Sequence, residues 1–415
     1  MISYKEACDI IYAVAKETKL ETEVLSLNDD ISGRVCAREV LAPIDIQPFD
    51  NSAMDGFAVV REDLLEATQD NPVILEKAGG ISAGDSVPEA ILQRGSCVHI
   101  MTGAPVPYGA DAVVPIELVK MEENGRLSFF SVPEAGAHIR CAGEDFKKGD
   151  VLLQQGQYLD TAHILPLATL GISNVEVVRK PRVAFISTGR ELVDDLSGSL
   201  GSGQIYNSNR PYAVALLDDF GIDCFEASTI HDDPEEFKKG LVALLDQNPD
   251  MIISSGAVSA GAFDFVKSEL QEMGAEILYH KIKIKPGKPN LLARLPNGTL
   301  YFGLPGNPVA TAVGMRFFID TAIRAMSGVK NETAFRGRLE HDYSKKAGLQ
   351  MFLKGSMSVS EDGGLRVSIL EGQDSFMVKP FLKMNAWVSI PEEVSNIKSG
   401  DIVDVYPLYP RNGLV

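Results

Sequence analysis

Leu300-Tyr301-Phe302-Gly303-Leu304-Pro305-Gly306-Asn307-Pro308-Val309-Ala310-Thr311-Ala312-Val313 decides how the rest of the chain is read. Leu300, Tyr301 and Phe302 read as a short buried strand, and the apolar segment from Val309 reads as a helix. Pro308 suits the first helical turn, where its missing N–H would be unpaired anyway. Asn307 suits the N-cap, and Gly306 lets the backbone approach a ligand. A strand feeding such a turn into a helix start offers free N–H groups and the helix dipole to an anion. Just upstream, Lys281, Lys283, Lys285 and Lys288 punctuate an otherwise apolar stretch. Together these residues suggest a phosphate or oxyanion site at the mouth of an α/β sheet. They also fit an ordinary αβ loop beside a solvated lysine edge strand.

The lysines stand out because the chain is acidic. Its 415 residues, enough for two to four domains, carry 39 basic and 57 acidic side chains, a net charge of −18. That field argues against binding nucleic acid or an anionic membrane. Five cysteines, odd in number and with no Cys-x-x-Cys pair, argue against a disulfide framework or a thiolate zinc site. No apolar run approaches the roughly 20 residues of a membrane helix, and no signal peptide is evident. The expected location is the cytoplasm.

Outward from the opening stretch, residues 181–328 alternate strand and helix. Val183–Ser187, Cys224–Ile230, Met251–Ile253, Glu276–Ile284 and Leu300–Phe302 read as strands. This predicts a doubly wound, mostly parallel α/β domain with its loops gathered at one end. Residues 49–141 show short β-like runs without helical period and predict an inserted β domain. Residues 1–48 and 142–180 then form a discontinuous mixed N-terminal domain. It starts with a capping box at Ser3 and Glu6. Residues 329–415 predict a C-terminal β-barrel.

Four loops of the α/β domain, 187–191, 254–264, 285–288 and 305–308, carry small, polar or charged residues. Ligands of open α/β sheets bind outside the carboxyl ends of the strands. Ser187, Thr188, Ser254, Ser255 and Ser259 can donate hydrogen bonds to a phosphate, and Lys285 and Lys288 can neutralise it. Glu191 and Asp264 can hold a divalent cation through oxygens. Each residue alone also fits a bland role: a serine after a strand often caps, and Asp264 can N-cap its helix. The six histidines are scattered and suggest no ligand set.

With these residues assembled, the chain resembles the molybdopterin molybdenumtransferase family, which includes the bacterial MoeA proteins and the E domain of gephyrin. The resemblance is carried along the whole chain. It runs through Phe49-Asp50-Asn51-Ser52-Ala53-Met54-Asp55-Gly56, Met101-Thr102-Gly103-Ala104-Pro105 and Gly143-Glu144-Asp145. It continues through Ser187-Thr188-Gly189 with Glu191, Gly203-Gln204-Ile205 with Asn209, Asp232-Asp233-Pro234, Lys285-Pro286-Gly287-Lys288-Pro289 and Leu304-Pro305-Gly306-Asn307-Pro308.

The resemblance implies a four-domain homodimer whose cleft joins the α/β domain of one subunit to the inserted β domain of the other. It implies that adenylylated molybdopterin (molybdopterin-AMP) and molybdate are the substrates, that AMP is released, and that Mg2+ is required. A molybdopterin adenylyltransferase is a candidate partner. The family's catalytic residues map onto Asp55, Asp145, Glu191, Asp232, Asp264, Lys285 and Lys288, with Glu191 and Asp264 as metal ligands. Substrate-binding positions map onto Ser52, Thr102, Gly103, Ser187, Thr188, Gly189, Ser254, Ser255, Gly256 and Ser259. Pro305, Gly306, Asn307, Pro308 and Ser375 complete that set. The chain departs from the family's pattern at Arg190, Ala257, Ala262, Ala310, Leu349 and Lys354. A non-catalytic pterin-binding scaffold or carrier is the alternative those departures leave open.

Overall fold

In the strand Val183–Thr188 successive side chains divide between two cores, Val183 and Phe185 joining one, Ala184 and Ile186 the other. A period of two with every residue buried belongs to a strand covered on both faces. The computed structural model containing it describes residues 1–409 except 30, 88, 232 and 257–264. The chain divides into two units. One comprises Met1–Arg38, Gln155–His163 and Asn174–Val415, the other Glu39–Gln154 and Ile164–Ser173.

In the first unit, Val183–Thr188 is second in a six-stranded sheet. The order is Cys224–Ile230, Val183–Thr188, Met251–Ser255, Leu300–Leu304, Leu291–Arg294, Glu276–His280. The first four run parallel, and Leu291–Arg294 is antiparallel to both neighbours. Helices Asn209–Asp219 and Pro308–Gly314 fill the core on one face, Pro234–Leu245 and Val266–Glu272 on the other. The sheet is therefore doubly wound and mostly parallel, as expected. The Pro308 helix runs on through a π-helical turn, Met315–Ile319, into Asp320–Met326, and only Pro308 and Thr321 along it are not buried. At the N-terminus the capping box forms: Ser3 N–H donates to Glu6 Oε2 at 2.7 Å, and Glu6 N–H to Ser3 Oγ at 3.2 Å. It starts the helix Tyr4–Glu17, which buries Ala7, Ile11 and Ala15 in the same core.

The C-terminal strands close into a ring of five: Gln350–Val359, Leu365–Ile369, Phe335–Leu339, Ile402–Pro407 and Ala386–Ile390, the last pairing back to the first. Leu353, Val367, Val388 and Val405 fill its interior. Closure removes the exposed edge that an open small sheet would present.

One expectation fails here. Glu276–Ile284 is not a single strand, and the lysine stretch is not an edge of the α/β sheet. Glu276–His280 ends at Lys281, which takes a left-handed φ of 72°, and Ile284–Lys285 instead pairs with the barrel strand at Gln350 and Met351. Ile282 and Ile284 are wholly buried, so the alternation is real but serves a crossing segment.

The second unit is built on a six-stranded sheet: Ala112–Pro115, Gly56–Val59, Ser96–Ile100, Val73–Ile81, Leu127–Phe129, Val119–Met121. Phe57 and Val59 face one core and Ala58 another, so Gly56–Val59 is also buried on both sides. Gly56 is required by proximity, since a Cβ there would stand 2.2 Å from the Val114 carbonyl oxygen. Among the described residues, no helix is long and apolar enough to cross a membrane.

Candidate active site

Residues 187–191, 254–256 and 305–308 follow adjacent parallel strands, and their described parts meet at one rim. Gly256 adopts φ 101°, and a Cβ on it would stand 2.4 Å from the Thr188 carbonyl oxygen; a Cβ on Gly306 would stand 3.5 Å from Gly256 Cα. Only glycine at 256 allows the end of Met251–Ser255 to lie this close to that of Val183–Thr188, whereas a Cβ at 306 would make an ordinary contact. Thr188 Oγ1 donates to Ser255 O at 3.3 Å, and Gly256 N–H to Leu304 O at 3.0 Å.

Strand alternation then sorts the serines. Ser187 and Ser255 face the Asn209–Asp219 helix, where Ser187 Oγ donates to Asn207 Oδ1 at 3.3 Å and Asn209 Nδ2 donates to Ser255 Oγ at 3.4 Å. Ser254 points the other way. It is wholly buried next to Tyr301, whose hydroxyl pKa burial pushes up, an effect the Ser254 hydroxyl only partly offsets. The expectation that Ser254 offers a hydrogen bond at the mouth is therefore wrong, because period two turns it into the opposite layer.

The turn Pro305-Gly306-Asn307-Pro308 is held from three sides. Asn209 Nδ2 donates to Gly306 O at 2.8 Å, and Thr311 Oγ1 donates to Pro305 O at 2.6 Å. Ser375 comes in from the barrel side. Asn307 occupies the N-cap with an extended backbone, but its side chain does not cap the helix; Nδ2 donates instead to Ser375 Oγ at 3.2 Å. The Val309 N–H is already taken by Ser375 O at 3.2 Å, which corrects the picture of wholly free helix-start amides. Gly306 and Asn307 remain exposed and Pro305 is buried.

The fourth loop, 285–288, does not leave a strand of the α/β sheet, since Lys285 belongs to the strand added in parallel to the barrel. Its turn nevertheless packs on the first turn of the Pro308 helix: a Cβ on Gly287 would lie 3.7 Å from Ala310 O. Lys285 and Lys288 are both exposed there.

Glu191 is exposed and folds back over Gly189, its Oε2 2.9 Å and Oε1 3.0 Å from where a Cβ on that glycine would be. Among the described residues, Arg190 makes no ion pair with Glu191, and no group of three or more His, Cys, Asp and Glu side chains converges. Of the two expected metal ligands only Glu191 lies among the described residues, an exposed carboxylate of the oxygen type a magnesium ion takes. Asp232, Asp264 and Ser259, with Ala257 and Ala262, lie outside the described residues.

Asp194, Asn207, Arg210 and Thr229 were not among the candidates from sequence. Asn207 Nδ2 donates to Asp194 Oδ1 at 2.9 Å and to Thr229 Oγ1 at 3.0 Å, while Arg210 pairs with Asp194 at 3.2 Å. The cluster borders a hollow of about 700 Å³ that runs past Val214 to Cys224. Asn209, noticed only as part of a motif, turns out to tie two of the strand-end loops together. Asn207, Ser208 and Asn209 at the helix start are marked by their types as local hydrogen-bonders, not as long-range ties.

The second unit gathers its own set. Ser52 N–H donates to Ala104 O at 3.0 Å and Gly103 N–H to Ser52 O at 2.8 Å, joining the 49–56 and 101–105 stretches. Exposed Asp55 accepts from Thr102 N–H at 2.7 Å and from Thr102 Oγ1 at 2.8 Å. These two bonds, the backbone one first, hold its carboxyl below the usual carboxylate range. Asp145 is exposed, with its N–H on Ile46 O at 2.8 Å.

The chain matches the MoeA N-terminal region (domain I and II) over residues 2–171, a probable molybdopterin binding domain over 184–325, and the MoeA C-terminal region (domain IV) over 336–408. It is similar to a molybdopterin molybdenumtransferase of Haemophilus influenzae, at 36% identity over 93% of this chain and 94% of that protein. It is likewise similar to one of Synechococcus elongatus, at 33% identity over 98% of this chain and 100% of that protein. The solved structure of the molybdopterin biosynthesis moea protein from Pyrococcus horikosii superposes with a TM-score of 0.82 at 29% identity, covering 99% of this chain and 100% of that one.

Proposed function

The chain belongs to the molybdopterin molybdenumtransferase family, an enzyme family of molybdenum cofactor biosynthesis, and from that premise we propose that it inserts molybdate into adenylylated molybdopterin with release of AMP. The observation that carries this reading is the glycine-pinched rim at Thr188, Gly256 and Gly306, with the lysine turn and Ser375 packed on the adjoining helix start. Lys285 and Lys288 neutralise the phosphoanhydride and the oxyanion, and Asn307 and Ser375 orient them. Positioning and charge stabilisation supply the catalysis, with no protein nucleophile. Glu191 and Asp264 would hold a magnesium ion, which would supply polarisation of the phosphoanhydride. Asp55, Asp145 and Asp232 are the remaining acidic members of the proposed set.

The full-length similarity to proteins named molybdopterin molybdenumtransferase favours an active enzyme over the scaffold reading. All five cysteines are unpaired, in keeping with a reducing cytoplasm. We further propose a homodimer, supplied with its nucleotide substrate by a molybdopterin adenylyltransferase. The deciding experiment is AMP release from molybdopterin-AMP by the purified protein. Release that needs both molybdate and magnesium is the expected result; tight binding of the nucleotide without any release would reject the transferase in favour of a carrier.

A further inference from the structure

We propose that Lys354 is a positioning residue that clamps the 373–377 loop, so that Ser375 is presented to the start of the Pro308 helix; this rests on the function proposed above. Lys354 lies in the barrel strand Gln350–Val359, where Leu353 points into the barrel and Phe352 into the core shared with the α/β sheet. It is 1% exposed, and its Nζ donates to Asp374 O at 3.1 Å and Met377 O at 2.9 Å. Its own N–H donates to Gln373 Oε1 at 3.0 Å, and Gln373 Nε2 donates back to Lys354 O at 2.9 Å and to Leu370 O at 2.6 Å. One residue therefore ties the loop at both shoulders. Ser375 sits between them, its carbonyl on Val309 N–H and its hydroxyl on Asn307, each at 3.2 Å.

Stability alone does not account for an ammonium in this place. Among the described residues it has no ion pair, and burial pulls its pKa below the ordinary lysine range while Asp374 only partly offsets this. An apolar chain of equal length would avoid that desolvation. What the charge adds is strong, directed bonds to two carbonyls, and hence a fixed loop.

Hydrogen exchange and molybdate titration calorimetry on the full chain test this, using Lys354→Met, Lys354→Arg, Gln373→Ala and Ser375→Ala. Lys354→Met is expected to speed amide exchange across 374–378 and to weaken molybdate binding about tenfold. Lys354→Arg should restore both. Ser375→Ala should weaken binding with exchange unchanged. Gln373→Ala loosens the same loop by a second route should Lys354→Met fail to fold, and should reproduce its pattern. Weakened binding with wild-type exchange would overturn the proposal, because Lys354 would then act on the ligand directly. Faster exchange with unchanged binding, or no molybdate binding by the wild type, would overturn it too. Molybdate binding without AMP release would reject only the transferase reading and leave the clamp standing.

Discussion

Around Gly256 and Asn209 the polar groups of Thr188, Ser255, Asn209 and Gly306 are bonded to one another within the protein, whereas around Asp55 a single threonine holds a single exposed carboxylate. The first arrangement makes the rim part of the sheet's framework, so changes there cost folding and function together. The second leaves a charged group on a short, well-hydrogen-bonded turn, where chemistry can change with little effect on stability.

The largest separation of the two should come from Gly256→Ala. Its Cβ would meet the Thr188 backbone, and its φ of 101° is unfavourable for alanine. A loss of about 4 kcal/mol in urea unfolding is expected, and retention of wild-type stability would show that the rim is looser than its geometry. Asn209→Ala comes next. It leaves the Gly306 carbonyl without its partner and should cost about 2 kcal/mol, together with a loss of molybdate-dependent AMP release; full activity would mean that the two loops hold themselves in place. Thr102→Val has the smallest effect. It removes one of the two bonds that lower the Asp55 pKa. A depressed carboxylate contributes stability above its unfolded pKa and loses it as pH falls through the folded one. With the valine, that loss should begin at higher pH, and stability near neutrality should fall slightly while stability below both pKa values is unchanged. A carboxyl NMR titration of Asp55 that did not move upward would contradict the assigned cause.

How far the sequence could be read follows the same division. The turn at Pro305–Pro308 was legible because proline, asparagine and glycine each have a local conformational reason to be there. The doubly wound sheet was legible because its strands are short apolar runs between helical periods. Asn209 was not legible as a tie, since its partners Ser255 and Gly306 are 46 and 97 residues away. Ser254 and Ser255 are adjacent and identical, and only the strand's phase separates the one at the rim from the one in the opposite layer. The lysine stretch misled for a related reason: alternation reports which side chains are covered, not which sheet covers them.

Phe317, on the π-helical turn, stacks on Phe352 of the barrel at 4.1 Å between ring centroids, and Trp387 and Tyr406 close around the same ring. The α/β domain and the barrel thus share aromatic insulation instead of each sealing its own. A chain truncated after Met326 would bare a sticky aromatic face to water and would aggregate rather than persist as a free-standing domain.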